Sequence, residues 1–449
     1  MLDALFRPSS IAVIGASRTS HGIGSAVLQN LVTHRFRGAI YPIHPSGGEL
    51  HGLRVYSSIT QVPTDVDLVN IAVHRDKLTS VIEQCARKGV KFAVIHSAGF
   101  QEVGAEGAQL QKRLVSLANH HGIRVLGPNC QGVQNSDSTV SMYANFTFTP
   151  MTRGPVGILA QAGGIGEMLQ QHLYRCGVGY RMYASFGNES DVSMHELLDY
   201  YDSDDAVRVV VMQAESFRFP QELAAVARRV SKTKPIFALK TARSAPGAKA
   251  AVAHTGVASS LDGVSRPLLE DSSIRWFNDV SQLVHVAAVA STQGKARGKR
   301  LGIVTNSGGP AIQAVDAAHE AGLELATWSA SSIQRLKGSV FEQASLGNPL
   351  DIVATAGPEQ FYEAVTTVLS DDAVDMALVF FVAAQFVDVQ ATARSIAKAC
   401  VQSSKPVVAV VCEPQCDGPV AQTLRGAGVL TFEFVEPAVR GLAELSEWG

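Results

Sequence analysis

The chain is poor in cysteine, in charge and in long apolar runs. Its six cysteines, Cys85, Cys130, Cys176, Cys400, Cys412 and Cys416, are scattered over 449 residues. That is too sparse for a disulfide scaffold and reads as reduced thiols in a cytoplasmic protein. Cys412 and Cys416 are the one close pair, with no second pair to complete a zinc site, so no metal site is expected. Lysine plus arginine number 38 and aspartate plus glutamate 40, a net charge of −2. Such a balance leaves no electrostatic footprint for nucleic acid and no basic tail for an anionic lipid surface. No window approaches the roughly 18 uninterrupted apolar residues of a membrane span. The segment from Met1 to Pro8 lacks the basic-then-apolar order of a signal peptide.

What is present describes large globular cores. Hydrophobic residues make up 46% and charged residues 17%, which argues against disorder. At about 150 residues per domain, the length suggests three domains. The glycines carry no Gly-X-Y period, so they mark turns rather than a fibre.

Short apolar runs alternate with amphipathic stretches. Ile11 to Ile14, Ala39 to Tyr41, Leu68 to Val73, Phe92 to Ile95 and Arg124 to Leu126 read as buried strands. Between them, Lys77 to Lys88 and Glu106 to His120 show helical spacing. This is the grammar of a parallel sheet covered on both faces. It restarts at Val156 to Leu159 and again at Leu301 to Val304. The polar run from Thr292 to Arg300 reads as a connector. The expected architecture is α/β: a Rossmann-like domain over 1–148, then two flavodoxin-like doubly wound domains over 149–293 and 298–449. The last two look duplicated, since Gly157-Ile158-Leu159-Ala160-Gln161-Ala162-Gly163-Gly164 aligns with Gly302-Ile303-Val304-Thr305-Asn306-Ser307-Gly308-Gly309.

The first strand runs into Gly15-Ala16-Ser17, and a helix should start near His21-Gly22-Ile23-Gly24. Glycines there let the backbone approach a phosphate, and the helix N-terminus adds donors. A glycine after a strand also serves simply as a tight turn. Two features favour coenzyme A over a dinucleotide. The spacing is not Gly-x-Gly-x-x-Gly, and the second strand ends in Tyr41-Pro42-Ile43-His44-Pro45, without the acidic residue that binds a ribose.

The order Gly15-Ala16-Ser17, Tyr41 to Pro45, Ser97-Ala98-Gly99-Phe100 and Gly127-Pro128-Asn129-Cys130-Gln131-Gly132 resembles the CoA-binding domain of the NDP-forming acyl-CoA synthetases, relatives of succinyl-CoA synthetase. The resemblance covers nearly the whole chain and is to the alpha half of those enzymes. It implies that Gly15, Ser17, Pro42, Ser97, Pro128 and Asn129 neighbour CoA. His44 and His74 depart from the family's more usual Asn and Pro.

Ala253-His254-Thr255-Gly256 follows a strand and a segment rich in Gly, Ala and Ser, with Pro246 as a breaker, which reads as a mobile loop. Lys240, Arg243 and Lys249 are cations suited to balancing a phosphoryl group. A neutral imidazole is a competent nucleophile toward an acyl phosphate. A lone histidine in a loop is also a common surface residue, and it is the resemblance that implies a phosphohistidine at His254. It further implies that Glu215 orients the ring, that Asn188 lies near the acyl site, and that Gly163, Gly164, Ser307, Gly308 and Gly309 bind phosphate at two helix starts. Asn348-Pro349-Leu350-Asp351 matches a third-domain motif that shapes a loop. Glu167 would open a helix and complement its dipole. Ala160 and Ala162 replace two serines of the family pattern, so two hydroxyl donors are missing.

No Gly-x-x-x-x-Gly-Lys-Ser/Thr nucleotide site is present, nor an additional stretch for an ATP-grasp domain. The resemblance therefore implies ATP or ADP with Mg²⁺ on a separate ATP-grasp beta subunit, in an α2β2 arrangement, with a carboxylic acid or acyl-CoA as substrate. Two alternatives stay open on the residues alone: a CoA-linked or carbamoyl-type acyl transferase without phosphohistidine, and a non-catalytic acyl-CoA-binding protein.

Overall fold

The computed structural model describes residues 2–17, 22–255, 269, 271–415 and 417–447. Cys416 lies outside them.

The first sheet has five parallel strands. Ser10–Ile14 lies between Ala39–Ile43 and Leu68–Ile71, and Phe92–Ile95 and Arg124–Leu126 follow outward. Alternate side chains of the first strand serve opposite cores. Ile11 and Val13 pack with Val27, Leu28 and Leu31 of the helix Ile23–Thr33. Ala12 and Ile14 pack with Val81, Ile82 and Cys85 of the helix Leu78–Lys88. Pro42 sits in the edge strand, where a missing N–H is tolerated.

The second sheet repeats the order. Arg153–Ala160 is flanked by Tyr180–Ser185 and Val209–Ala214, and Ile236–Lys240 and Ile274–Phe277 extend it in parallel. A hairpin, Gly132–Asn135 and Met142–Asn145, adds antiparallel to Tyr180–Ser185. Although it precedes residue 149, this hairpin is part of the second sheet. Its Val133, Met142 and Ala144 share a core with Leu159, Met182 and Ala184. The first two sheets lie in one compact unit, Met1–Tyr174 with Gly179–Leu283.

A second unit comprises Arg175–Val178 and Val284–Gly449. Its sheet places Arg300–Thr305 between Glu324–Leu325 and Met376–Val382, followed by Val407–Cys412 and Leu430–Phe432, all parallel. The short strand Leu350–Asp351 joins the end of Arg300–Thr305.

The segment after Ile236–Lys240, expected as a loop, carries the helix Ala245–Thr255. Alanine is the best helix former, and Pro246 falls in the first turn, where its missing N–H costs no hydrogen bond. Burial pushes the thiols of Cys85, Cys130 and Cys400 up to about 12, so they stay protonated and inert. Among the described residues no helix is long and apolar enough to cross a membrane.

Candidate active site

All five strands of the first sheet run the same way, so their C-terminal ends share one edge, where open α/β sheets bind ligands. Gly15, Ser17, Ser97, Pro128 and Asn129 follow directly on three of these ends. Pro42 is buried within the edge strand, one residue inside its end. Gly15 has φ +96°, and a Cβ there would stand 2.3 Å from the Ala72 carbonyl oxygen. Its partner is Gly24 in the next helix, whose Cβ would stand 2.6 Å from the Gly15 oxygen. The strand-to-helix turn is thus closed backbone against backbone. Ser25 fastens it, donating from Oγ to the Ser17 carbonyl at 2.9 Å and accepting from the Ser17 N–H at 3.2 Å.

The neighbouring loops are joined to one another. Ser97 Oγ donates to the Val73 carbonyl at 2.5 Å, and the Asn129 N–H donates to the Ser97 carbonyl at 3.0 Å. Buried His96 lies with Nδ1 3.1 Å from the Cys130 carbonyl and Nε2 3.0 Å from Asn70 Oδ1. Burial lowers its pKa to about 4, against the opposing bond to Cys130. The ring is therefore neutral, and its one N–H serves only one of these two oxygens. His44 lies 2.6 Å from Ser46 Oγ, and His74 pairs with exposed Asp76.

The strand order of the second sheet reverses between the parallel strands Arg153–Ala160 and Val209–Ala214, the switch point whose crevice is where open α/β sheets take ligands. Gln161 bridges it. Its Oε1 accepts from the Glu215 N–H at 2.7 Å and the Ser216 N–H at 3.1 Å. In return Gln213 Oε1 accepts from the Ala162 N–H at 2.8 Å. Gly163 and Gly164 then open the helix Gly163–Arg175, whose free N–H groups and dipole suit an anion. Glu215 is buried at this crevice. His254 lies in the last turn of Ala245–Thr255, after the adjacent strand, and its side chain lies outside the described residues. Of the three cations noted in the sequence, Arg243 and Lys249 are exposed, whereas Lys240 is buried and donates to backbone carbonyls.

Glu167 does not open its helix. It is the fifth residue, buried, and its Oε1 accepts from both the N–H and the hydroxyl of Thr149. The adjoining loop holds Glu189, buried with φ +48°. Burial raises its pKa to about 7, against the Met194 N–H and the Arg218 charge.

The second unit repeats the turn within its own sheet. Asn306 bridges from the end of Arg300–Thr305 to that of Met376–Val382, accepting from the Val382 N–H at 2.9 Å and donating to its carbonyl at 3.0 Å. Ser307, Gly308 and Gly309 start the helix Gly308–Glu320. Asn348 shapes the adjacent loop by bonding to the backbone of Leu301, Ile303 and Ala326. That loop brings Asp351 beside Gly308, where a Cβ would stand 3.2 Å from Asp351 Oδ2. No group of His, Cys, Asp and Glu suited to a metal ion occurs among the described residues.

Sequence reading missed Glu102 and Gln111, which meet Asn188 between the two sheet edges. The one local signal was Glu102 placed three residues after Gly99, the spacing of a side chain that reaches back to loop N–H groups.

Residues 9–136 match the model of a CoA binding domain, and residues 153–290 that of a succinyl-CoA ligase like flavodoxin domain. The chain is 31% identical over 441 residues to the alpha subunit of ADP-forming acetate–CoA ligase II of Pyrococcus furiosus, covering 97% of this chain and 95% of that one. It is 30% identical to the ADP-forming acetate–CoA ligase I of Archaeoglobus fulgidus, of which it spans 64%. Its fold is similar to the dinucleotide-forming acetyl-coenzyme A synthetase 1 of Ca. Korarchaeum cryptofilum, a structure in complex with phosphate and ADP. The TM-score is 0.91 at 32% identity, covering 100% of this chain and 97% of that one.

Proposed function

The chain belongs to the NDP-forming acyl-CoA synthetase family, the ADP-forming acid–CoA ligases, as an alpha subunit, and from that premise we propose how its residues divide the work. The enzyme interconverts acyl-CoA, ADP and phosphate with acid, CoA and ATP, and it works with a partner subunit. In our reading CoA lies across the strand ends of the first sheet, against Gly15, Ser17, Ser97, Pro128 and Asn129, with Pro42 shaping the edge. The close-packed turn at Gly15 and Gly24 suits a ligand phosphate, because its glycines let the backbone approach the ligand and the helix Ile23–Thr33 starts beside it. Phosphate attacks the acyl carbonyl, and the CoA thiolate leaves.

The acyl phosphate then passes its phosphoryl group to the imidazole of His254, and the carboxylate departs. Glu215 accepts a hydrogen bond from the second ring nitrogen, which selects the tautomer and steadies the developing positive charge. The helix start at Gly163 and Gly164 supplies N–H donors to the phosphoryl oxygens, and the start at Ser307, Gly308 and Gly309 is the second candidate. The histidine segment delivers the group to ADP on the partner. We take that partner to be an ATP-grasp chain in an α2β2 assembly, with Mg²⁺ accompanying the nucleotide.

The observation that carries this reading is the bridged crevice. Gln161 holds the Glu215 backbone beside a helix N-terminus, at the place where the second sheet reverses its order. Incubation of the alpha and partner chains with γ-labelled ATP tests it. Acid-labile, base-stable label is expected on His254. Label on another residue, or full turnover by His254→Ala, overturns the assignment.

A further inference from the structure

We infer that Glu102 and Asn188 form a positioning pair through which the second sheet sets the shape of the coenzyme A crevice. The inference rests on the reading of that crevice as the CoA site.

The polar groups of Asn188 all face segments that follow strands of the first sheet, including the helix Ala105–His120. Its Nδ2 donates to Glu102 Oε2 at 2.8 Å and to Gln111 Oε1 at 2.9 Å. Its backbone N–H donates to the Pro128 carbonyl at 3.0 Å. Its carbonyl accepts from Gln101 Nε2 at 3.2 Å, and its Oδ1 faces Asn129 Nδ2 at 3.5 Å. An amide with both side-chain hydrogens so directed holds loops rather than a substrate.

Glu102 is the other half. Its Oε1 accepts from the Gly99 N–H at 2.6 Å and the Phe100 N–H at 3.1 Å. It therefore shapes the Ser97 to Phe100 turn directly and passes that shape to Asn188 through Oε2. Burial works against its ionisation, but the bonds from Asn188, Phe100 and Gly99 outweigh it and hold the carboxyl below its ordinary range. Ser190, two residues past Asn188, closes the arrangement by donating from Oγ to the Gly127 carbonyl at 2.5 Å. Phe100 anchors one end of the turn in the apolar core, but Ala98 is exposed and Ser97 and Gly99 are half-buried, so the stretch from Ser97 to Gly99 is held by polar bonds rather than by apolar packing. Its shape depends on these bonds. A displaced turn misplaces Ser97 and, through the Ser97 carbonyl, Asn129.

The test exchanges donor and acceptor. Glu102→Gln sets an amide against an amide, and Asn188→Asp sets a carboxylate against a carboxylate. In the double variant the introduced amide donates to the introduced carboxylate, and the pair is complementary again with its polarity reversed once Gln111, which accepted from Asn188, turns its amide to donate. CoA is titrated calorimetrically into the full chain, and KM for CoA and kcat are measured with the partner subunit present. Each single variant is expected to weaken CoA binding about tenfold, with KM rising and kcat nearly constant. The double variant should return to within about threefold of the wild type. If Glu102→Gln does not fold, Asn188→Asp carries the same readout. Single variants that bind CoA as the wild type does, or a double variant no better than the sum of its parts, overturn the pair alone. A wild-type chain that binds no CoA overturns the crevice reading and the pair with it.

Discussion

The ammonium of Lys240 donates to the backbone carbonyl of Glu215 at 2.7 Å, and to that of Thr241 at 2.6 Å. The sequence suggested a cation held ready for a phosphoryl group. The folded chain uses it instead to tie the ends of two neighbouring strands, on the backbone side of the residue proposed to orient His254. Lys240 is only 6% exposed, so these bonds are made out of water.

Removing that ammonium should act on stability and chemistry together. Lys240→Met keeps the stem and leaves two carbonyls without this donor. A loss of about 1–3 kcal/mol is expected in urea unfolding. Phosphorylation of His254 should slow as well, because the Glu215 backbone keeps Gln161 but loses its second anchor.

Glu189 should make the protein less stable in mild alkali. Its folded-state pKa, about 7, lies above the ordinary carboxyl value, chiefly through burial. The folded state therefore holds a proton that the unfolded chain gives up above about pH 4.5. Its contribution is complete below that pH and is lost as pH rises through about 7. Arg218 and Glu196 face it with opposite effects. Replacement by Gln should remove about 3 kcal/mol of this pH dependence, read as the change in wild-type-minus-variant stability between pH 4.5 and 8.

His96 has the opposite sign. Burial depresses its folded-state pKa to about 4. Its contribution is present above about pH 6.5 and disappears as pH falls through about 4. The ring carbon signals of His96 in an NMR titration should hold still from pH 7.5 down to about 5. A midpoint for His96 near 6.5 would contradict the buried, neutral ring.

Gly24→Ala should damage the CoA crevice from behind. The added methyl would stand 2.6 Å from the Gly15 carbonyl oxygen and force the helix Ile23–Thr33 away from the turn. CoA affinity should drop at least about tenfold in calorimetry, with a smaller effect on phosphorylation of His254 from the partner side.

Ala162→Ser would return one of the hydroxyls missing from the family pattern. The Ala162 N–H is already bound to Gln213, so the backbone at this turn is set and the new oxygen adds a donor without reshaping it. The rate of His254 phosphorylation should rise about fivefold, the worth of one net hydrogen bond. An unchanged rate would mean that this turn does not face the phosphoryl group.

The amino-acid order by itself determined the element grammar. Alternating apolar runs and amphipathic stretches located the strands around Ile11, Val69, Ile158 and Ile303, and the repeated Gly-Gly turns marked the duplication. These signals are local, because side-chain period follows directly from backbone geometry. The boundary near residue 149 and the loop through Pro246 were harder to read. A hairpin joins whichever sheet offers it a core, and a proline at a helix start looks in sequence like a proline that ends one. Tertiary structure alone decided the partners of the polar groups. Lys240 turns to carbonyls, Gln161 spans a crevice to Glu215, and Glu102 finds Asn188 86 residues away. A hydrogen bond is satisfied by proximity in space and leaves no period in the chain, so only the assembled sheets could say which donor meets which acceptor.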